Sequence, residues 1–84
     1  MDDFYLYALV SLIDGRIYVG IAHDPEKRLI EHNSGKTKST KGFVPWKLFY
    51  TEFCGIAAIA RSREIYFKSS AGKRRLRAIL NSLS

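Results

Sequence analysis

The first apolar segments of the chain have the residue types and lengths of β-strands. Residues 4–10 (FYLYALV) and 16–21 (RIYVGI) are both rich in aromatic and β-branched side chains. The dipeptide Asp14-Gly15 lies between them and is typical of two-residue type I′ hairpin turns. The pattern therefore predicts an antiparallel β-hairpin centred on this dipeptide.

Alternation along the predicted hairpin decides which side chains share a face of the sheet. A two-residue turn would place Ser11 opposite Tyr18 and Val10 opposite Val19, and paired residues share a face. One face would then carry Tyr5, Tyr7, Leu9, Tyr18 and Gly20. The other face, which is more uniformly apolar, would carry Phe4, Leu6, Ala8, Val10, Ile17, Val19 and Ile21. A shift of one residue would separate the tyrosines, so their shared face depends on the register.

A helix is predicted directly after the hairpin. Asp24 can cap its N-terminus, and Pro25 suits the first helical position. Gly35 is typical of the residue that follows a helix, so we expect a helix over residues 25–34. Arg28 and His32 are four residues apart, which places them on one face of that helix. A strand end followed by such a helix suits a surface that binds phosphate.

The second half of the chain predicts one more strand and two more helices. Residues 35–45 (GKTKSTKGFVP) form a basic loop, and residues 46–53 (WKLFYTEF) have strand character. Helical spacing begins at Ile56, and Ser69-Ser70 interrupts it and can cap a last helix. The apolar stripe of that helix consists of Leu76, Ile79, Leu80 and Leu83. The order β-β-α-β-α-α predicts an α+β fold, a three-stranded antiparallel sheet with flanking helices, in a single domain over residues 1–84.

The charge of the chain narrows the class of its partner. Its 84 residues include 14 Lys and Arg against 8 Asp and Glu, a net charge of +6. This favours nucleic acid as the partner first and an anionic membrane surface second. The alternative is a soluble basic protein whose net charge does not indicate a partner. The single cysteine, Cys54, excludes an intrachain disulfide and a Cys-rich zinc site. No apolar run is long enough to span a bilayer, and we expect a cytoplasmic protein.

Five residues are candidates for chemistry: Tyr7, Tyr18, Arg28, His32 and Glu64. Each also has a purely structural interpretation, which is half-buried packing for the tyrosines. For Arg28 it is a solvated charge, for His32 a contact with the helix dipole, and for Glu64 a surface position. Phosphodiester cleavage needs a polarising metal, a group that activates water, and cations around the phosphorus. One carboxylate can hold Mg²⁺ when water and phosphate oxygens fill the other positions.

In order and spacing, these positions resemble those of the GIY-YIG endonucleases. Residues 5–7 (YLY) resemble the first motif of that family, with Tyr and Leu in place of its Gly and Ile, and residues 18–20 (YVG) resemble the second. The segments DPEKRLIEHN and ARSREIYFKSSAGKRR are similar to the family's first helix and to its glutamate-bearing segment. Many members carry an asparagine after that glutamate; Asn81 is the candidate here, and Leu76 occupies one of the possible spacings. The resemblance is strongest to small stand-alone members.

The resemblance implies a structure-directed DNA endonuclease linked to repair or recombination. Tyr7 and Tyr18 would line the site, and one of them would help to activate the attacking water. Arg28 would stabilise the scissile phosphate, His32 would orient or share a proton with the tyrosines, and Glu64 would bind one Mg²⁺ or Mn²⁺. The substrate would be DNA, branched or single-strand-containing, and a protein partner could supply specificity. Its phosphates would contact the basic residues Lys36, Lys38, Lys41, Lys68, Lys73, Arg74 and Arg75.

Two alternatives belong to other functional classes. The first is a nucleic-acid-binding module that has the same fold but cuts only with a partner, or not at all. The second is an interaction domain whose basic face binds a protein or a lipid. Cleavage assays on branched and duplex DNA would distinguish these alternatives from an endonuclease.

Overall fold

A three-stranded antiparallel sheet forms the centre of the protein in a computed structural model that describes residues 3–83. Its strands are β1 (Phe4–Ser11), β2 (Ile17–Ala22) and β3 (Trp46–Gly55), with β1 in the middle. The helices are α1 (Pro25–Asn33), α2 (Ala57–Lys68) and α3 (Ser70–Ser82), and a short 3₁₀ turn lies at Lys41–Phe43. The α+β class and the order β-β-α-β-α-α are confirmed.

The hairpin turn is longer than the two-residue turn expected from the sequence. Val10 faces Ile17, which shifts the pairing of β1 and β2 by two residues from the expected register. The turn closes at Ser11, whose amide donates to the carbonyl of Arg16 and whose carbonyl accepts from the amide of Gly15, both at 2.9 Å. Gly15 has a φ of 78°, a left-handed conformation that glycine adopts without strain.

The shift preserves the faces of the hairpin, because side chains alternate with a period of two. Tyr18 lies opposite Leu9, not Ser11, and Val19 lies opposite Ala8, not Val10. Tyr7 faces Gly20 across the ladder, so the two tyrosines share one face as predicted.

Two apolar clusters cover the two faces of the sheet, so the sheet is the middle of three layers. On one face, strand residues pack against buried side chains of α2 and α3, which are Ala60, Phe67 and Leu76. On the opposite face, Tyr7, Leu9, Ala22 and Trp46 pack with Leu29 of α1 and with Phe43 and Val44 of the basic loop. Phe67 is fully buried, and its truncation to alanine would cost about 3–5 kcal/mol.

Helix α1 is held at both ends by polar contacts. The side chain of Asp24 accepts from the amide of Lys27 at 3.1 Å, as expected for a cap. At the other end, the side chain of Asn33 accepts from the backbone amide of Trp46 at 2.6 Å and donates to the backbone carbonyl of Trp46 at 3.0 Å. This pair of bonds joins the last turn of α1 to the first residue of β3.

Helix α3 begins at the predicted cap and is attached to the hairpin. Ser69 accepts from the amide of Gly72 at 3.2 Å. Lys73 donates to the carbonyl of Ile17 at 3.1 Å, and Arg77 donates to the carbonyl of Gly15 at 3.0 Å. Leu83 was expected on the apolar stripe, but this is wrong, because the helix ends before it and its side chain is 62% exposed. Within residues 3–83, none of the helices is both long and apolar enough to cross a bilayer.

Candidate active site

A hydrogen bond between Tyr7 and His32 lies at the centre of the candidate site. Tyr7 comes from the middle strand and His32 from the last turn of α1, and they are 1% and 0% exposed. The Tyr7 hydroxyl oxygen and His32 Nε2 are 3.0 Å apart. The Tyr18 ring is 4.8 Å from the His32 ring and 6.4 Å from the Tyr7 ring, measured between centroids. The structure thus brings together three of the five candidates in one aromatic cluster.

Gly20 makes room for the Tyr7 hydroxyl. A Cβ atom at this position would lie 2.6 Å from the Tyr7 hydroxyl oxygen, so the Tyr7 ring would have to shift to make room for it. The sequence places Gly20 on the face of the tyrosines, but only the geometry gives the reason for a residue without a side chain there.

Arg28 brings a positive charge to this cluster. It lies one turn before His32 on α1, pairs with Glu31, and remains partly exposed. Burial raises the pKa of Tyr7, and the guanidinium of Arg28 opposes part of that increase. Burial also lowers the pKa of His32, and the charge of Arg28 lowers it further, against the opposing effect of Glu31. Tyr7 is therefore a neutral phenol and His32 a neutral imidazole at neutral pH.

Glu64 lies on α2, in the layer that packs against the opposite face of the sheet. Its charge makes a small contribution to the raised pKa of Tyr7, after burial and the effect of Tyr18. Its direct partner is Lys68, whose ammonium is 3.1 Å from the carboxylate, and the Glu64 side chain is 23% exposed.

The carboxylate of Glu64 is the kind of ligand that hard divalent cations prefer. Between residues 3 and 83, no group of three or more His, Cys, Asp or Glu side chains is arranged to hold a metal. A lone carboxylate fits Mg²⁺ or Mn²⁺, which retain water and take substrate oxygens as ligands, and it does not fit a structural zinc. Glu64 would hold such an ion after releasing Lys68.

The predicted DNA-contacting residues fall into two groups in space. Lys36, Lys38 and Lys41 are exposed on the basic loop, which belongs to the same layer as His32. Arg74 and Arg75 are exposed on α3 in the opposite layer, where Lys68 pairs with Glu64. The half-buried ammonium of Lys73 is engaged by the hairpin backbone. Asn81, the candidate for the family's asparagine, lies on the exposed side near the end of α3.

Thr40 is a site residue that the sequence did not reveal. It is 1% exposed, and its hydroxyl oxygen lies 2.9 Å from Nδ1 of His32. Within a loop of Ser, Thr, Lys and Gly, nothing in the sequence distinguishes this threonine from its neighbours Thr37 and Ser39.

Comparisons with known proteins agree with these observations. The family model described as the GIY-YIG catalytic domain matches residues 3–77. A UPF0213 protein of Staphylococcus saprophyticus is 39% identical over 80 residues, which cover 94% of this chain and 96% of the relative. A UPF0213 protein of Bacillus licheniformis is 41% identical over 79 residues, covering 93% and 80%. One of Haloquadratum walsbyi is 36% identical over 70 residues, covering 82% and 79%. No solved structure gives a significant match.

Proposed function

Because the chain belongs to the GIY-YIG family, we propose that it is a divalent-metal-dependent DNA endonuclease that hydrolyses phosphodiester bonds. The observation that carries the proposal is the buried hydrogen bond between Tyr7 and a neutral His32. Tyr18 packs beside it, and Arg28 lies one turn before His32 on the same face of α1. The hydrogen bond joins a potential proton donor to an acceptor in a cluster that also presents a cation.

The residues divide the work as follows. Tyr7 takes a proton from the attacking water as its own phenol proton passes to His32 Nε2, while Tyr18 lines the cluster and packs against the imidazole. Arg28 stabilises the charge that develops on the phosphate. Glu64 holds Mg²⁺ or Mn²⁺, which when bound supplies Lewis-acid polarisation of the phosphate.

The substrate we propose is branched or single-strand-containing DNA, in repair or recombination, cut in the cytoplasm by a single nuclease domain. The exposed lysines of the basic loop support this, because lysines suit contacts with phosphates and not with bases, so that DNA structure would select the site. A protein partner would add further specificity.

Cleavage of flap, fork and plain duplex DNA with Mg²⁺ tests the proposal. Arg28→Ala and Glu64→Gln should each abolish cleavage, and Glu64→Gln should retain binding. Glu26→Gln and Arg61→Ala, which change exposed charges of the same types, are the matched controls and should cut normally. Cleavage that survives Glu64→Gln contradicts the metal assignment.

The second candidate function is a nucleic-acid-binding module that does not cut alone. The ion pair between Lys68 and Glu64 favours it, because it neutralises the carboxylate that would bind the metal. Tight binding to branched DNA without cleavage in Mg²⁺ or Mn²⁺ would support this alternative.

A further inference from the structure

The hydroxyl group of Thr40 has two neighbours that determine the direction of its hydrogen bonds. Its oxygen is 3.3 Å from the carbonyl oxygen of Thr37 and 2.9 Å from Nδ1 of His32. A carbonyl can only accept, so the single hydroxyl proton goes to Thr37. The Thr40 oxygen therefore accepts from His32, which places a proton on Nδ1.

The other ring nitrogen of His32 is then a free acceptor. A neutral imidazole carries one proton, so Nε2 presents its lone pair to the Tyr7 hydroxyl, 3.0 Å away. Tyr7 therefore donates to His32 and not the reverse.

The position of Thr40 is fixed by its backbone as well. Its carbonyl accepts from Nε1 of the buried Trp46 at 2.9 Å, and its amide donates to the carbonyl of Thr37 at 3.1 Å. Neither bond uses the side chain. A change of side chain can thus remove the hydroxyl while the backbone around it stays in place.

We propose that Thr40 is a positioning residue that fixes the His32 tautomer with its proton on Nδ1, so that Nε2 receives the proton of Tyr7. The inference rests on the proposed function, since the proton transfer matters for hydrolysis only if Tyr7 takes part. When water gives a proton to the Tyr7 oxygen, the phenol proton moves to Nε2 and leaves an imidazolium that still donates from Nδ1 to Thr40. The opposite tautomer would direct Nε2–H at Tyr7 and leave the phenol proton without an acceptor.

The tautomer can be measured without any reference to cleavage. Long-range ¹H–¹⁵N NMR spectra of the full chain at neutral pH should show the His32 proton on Nδ1. Thr40→Ser should keep it there, whereas Thr40→Val, which has the same shape without the hydroxyl, should move it towards Nε2. A wild-type ring protonated on Nε2, or an unchanged ring in Thr40→Val, overturns the proposal.

Cleavage of flap DNA then connects the tautomer to function. Thr40→Val should lower kcat by about tenfold, a part of the roughly 10²- to 10⁴-fold that a positioned proton acceptor contributes. Thr40→Ser should restore most of the rate, and KM should change little. If the NMR result is as expected but the wild type never cuts, the proposed function falls and the tautomer assignment stands. If Thr40→Val cuts at the wild-type rate, the role of Thr40 in catalysis is wrong. Should Thr40→Val fail to fold, the wild-type spectrum and the serine variant still decide.

Discussion

Gly20, which has no side chain, leaves space for the Tyr7 hydroxyl beside His32. In Gly20→Ala, the added methyl would meet the Tyr7 hydroxyl oxygen at 2.6 Å. We expect the phenol to shift, weakening its bond to His32 and lowering the free energy of unfolding by about 1–3 kcal/mol, the usual cost of overpacking. Urea denaturation measures this. Gly42→Ala is the matched control, because a Cβ there meets nothing within 4 Å. Equal stability of the two variants would show that Tyr7 has more room than the geometry indicates.

The buried His32 makes stability depend on pH in a defined direction. Burial and Arg28 hold the pKa of His32 below its ordinary value of 6.5. Below pH 6.5 the unfolded chain binds a proton at this residue that the folded chain does not. The contribution of His32 to the free energy of unfolding is therefore fully present above pH 6.5 and is lost as the pH decreases below that value. Arg28 stays protonated and Glu31, whose pKa Arg28 lowers, stays ionised until lower pH, so neither produces this loss.

Chemical denaturation between pH 5 and pH 7.5 measures the effect. His32→Gln should be less stable at neutral pH but should show a flatter pH dependence than the wild type. The variant of the other histidine, His23→Gln, leaves the contacts of His32 intact and should keep the wild-type slope. A slope that survives in His32→Gln would assign the effect to another group.

At the scale of elements, the hairpin separates what the sequence determines from what it does not. The face shared by Tyr7 and Tyr18 was predicted correctly although the turn was not, because a shift of two residues leaves every side chain on its face. The turn itself depends on the basic loop, far away in the chain. Ser11 donates to the carbonyl of Phe43 at 2.7 Å, and the next amide, Leu12, donates to Pro45. No local propensity for a turn at Asp14-Gly15 contains that information.

We expect the main role of Lys73 to be the attachment of α3 to β2, not the binding of DNA. Its ammonium donates to the carbonyl of Ile17, and burial together with the neighbouring Lys68 and Arg77 lowers its pKa. Lys73→Met keeps most of the apolar stem and removes the bond, so we expect a loss of about 1–2 kcal/mol in the free energy of unfolding. Arg74→Met, at the exposed neighbouring position, should stay within about 0.5 kcal/mol of the wild type. Thermal or urea denaturation compares them, and equal stabilities would leave Lys73 available for DNA.

At the scale of the whole molecule, the candidate site draws on all three layers. Tyr7, Tyr18, Arg28 and His32 lie within 26 consecutive residues, so motif and spacing were enough to predict that they meet. Glu64 lies on α2, which packs on the other face of the sheet, and only the family resemblance connected it to the tyrosines. Thr40 was not predicted, because its contact with His32 depends on the fold of the basic loop, in which the Thr40 carbonyl accepts from the Trp46 indole.

The distribution of positive charge over the layers predicts how DNA binds. Lys36, Lys38 and Lys41 lie in the layer of His32, whereas Arg74 and Arg75 lie in the layer on the opposite face of the sheet. Counterion release makes affinity fall linearly with salt on logarithmic axes, with a slope of about 0.9 per phosphate contact. Replacing the three loop lysines with serine should therefore reduce both the affinity for flap DNA and this slope.

Fluorescence anisotropy titrations between about 50 and 200 mM salt measure both quantities. If the scissile phosphate lies against the Tyr7–His32 cluster, we expect the duplex to contact the basic loop, which lies in the same layer. Replacing Arg74 and Arg75 with serine should then change the slope much less than the loop variant does. The reverse order would mean that DNA crosses α3, in the layer that also carries Glu64. If the affinity of the wild type did not change with salt, the protein would not bind DNA through phosphate contacts, and a partner other than nucleic acid would be favoured.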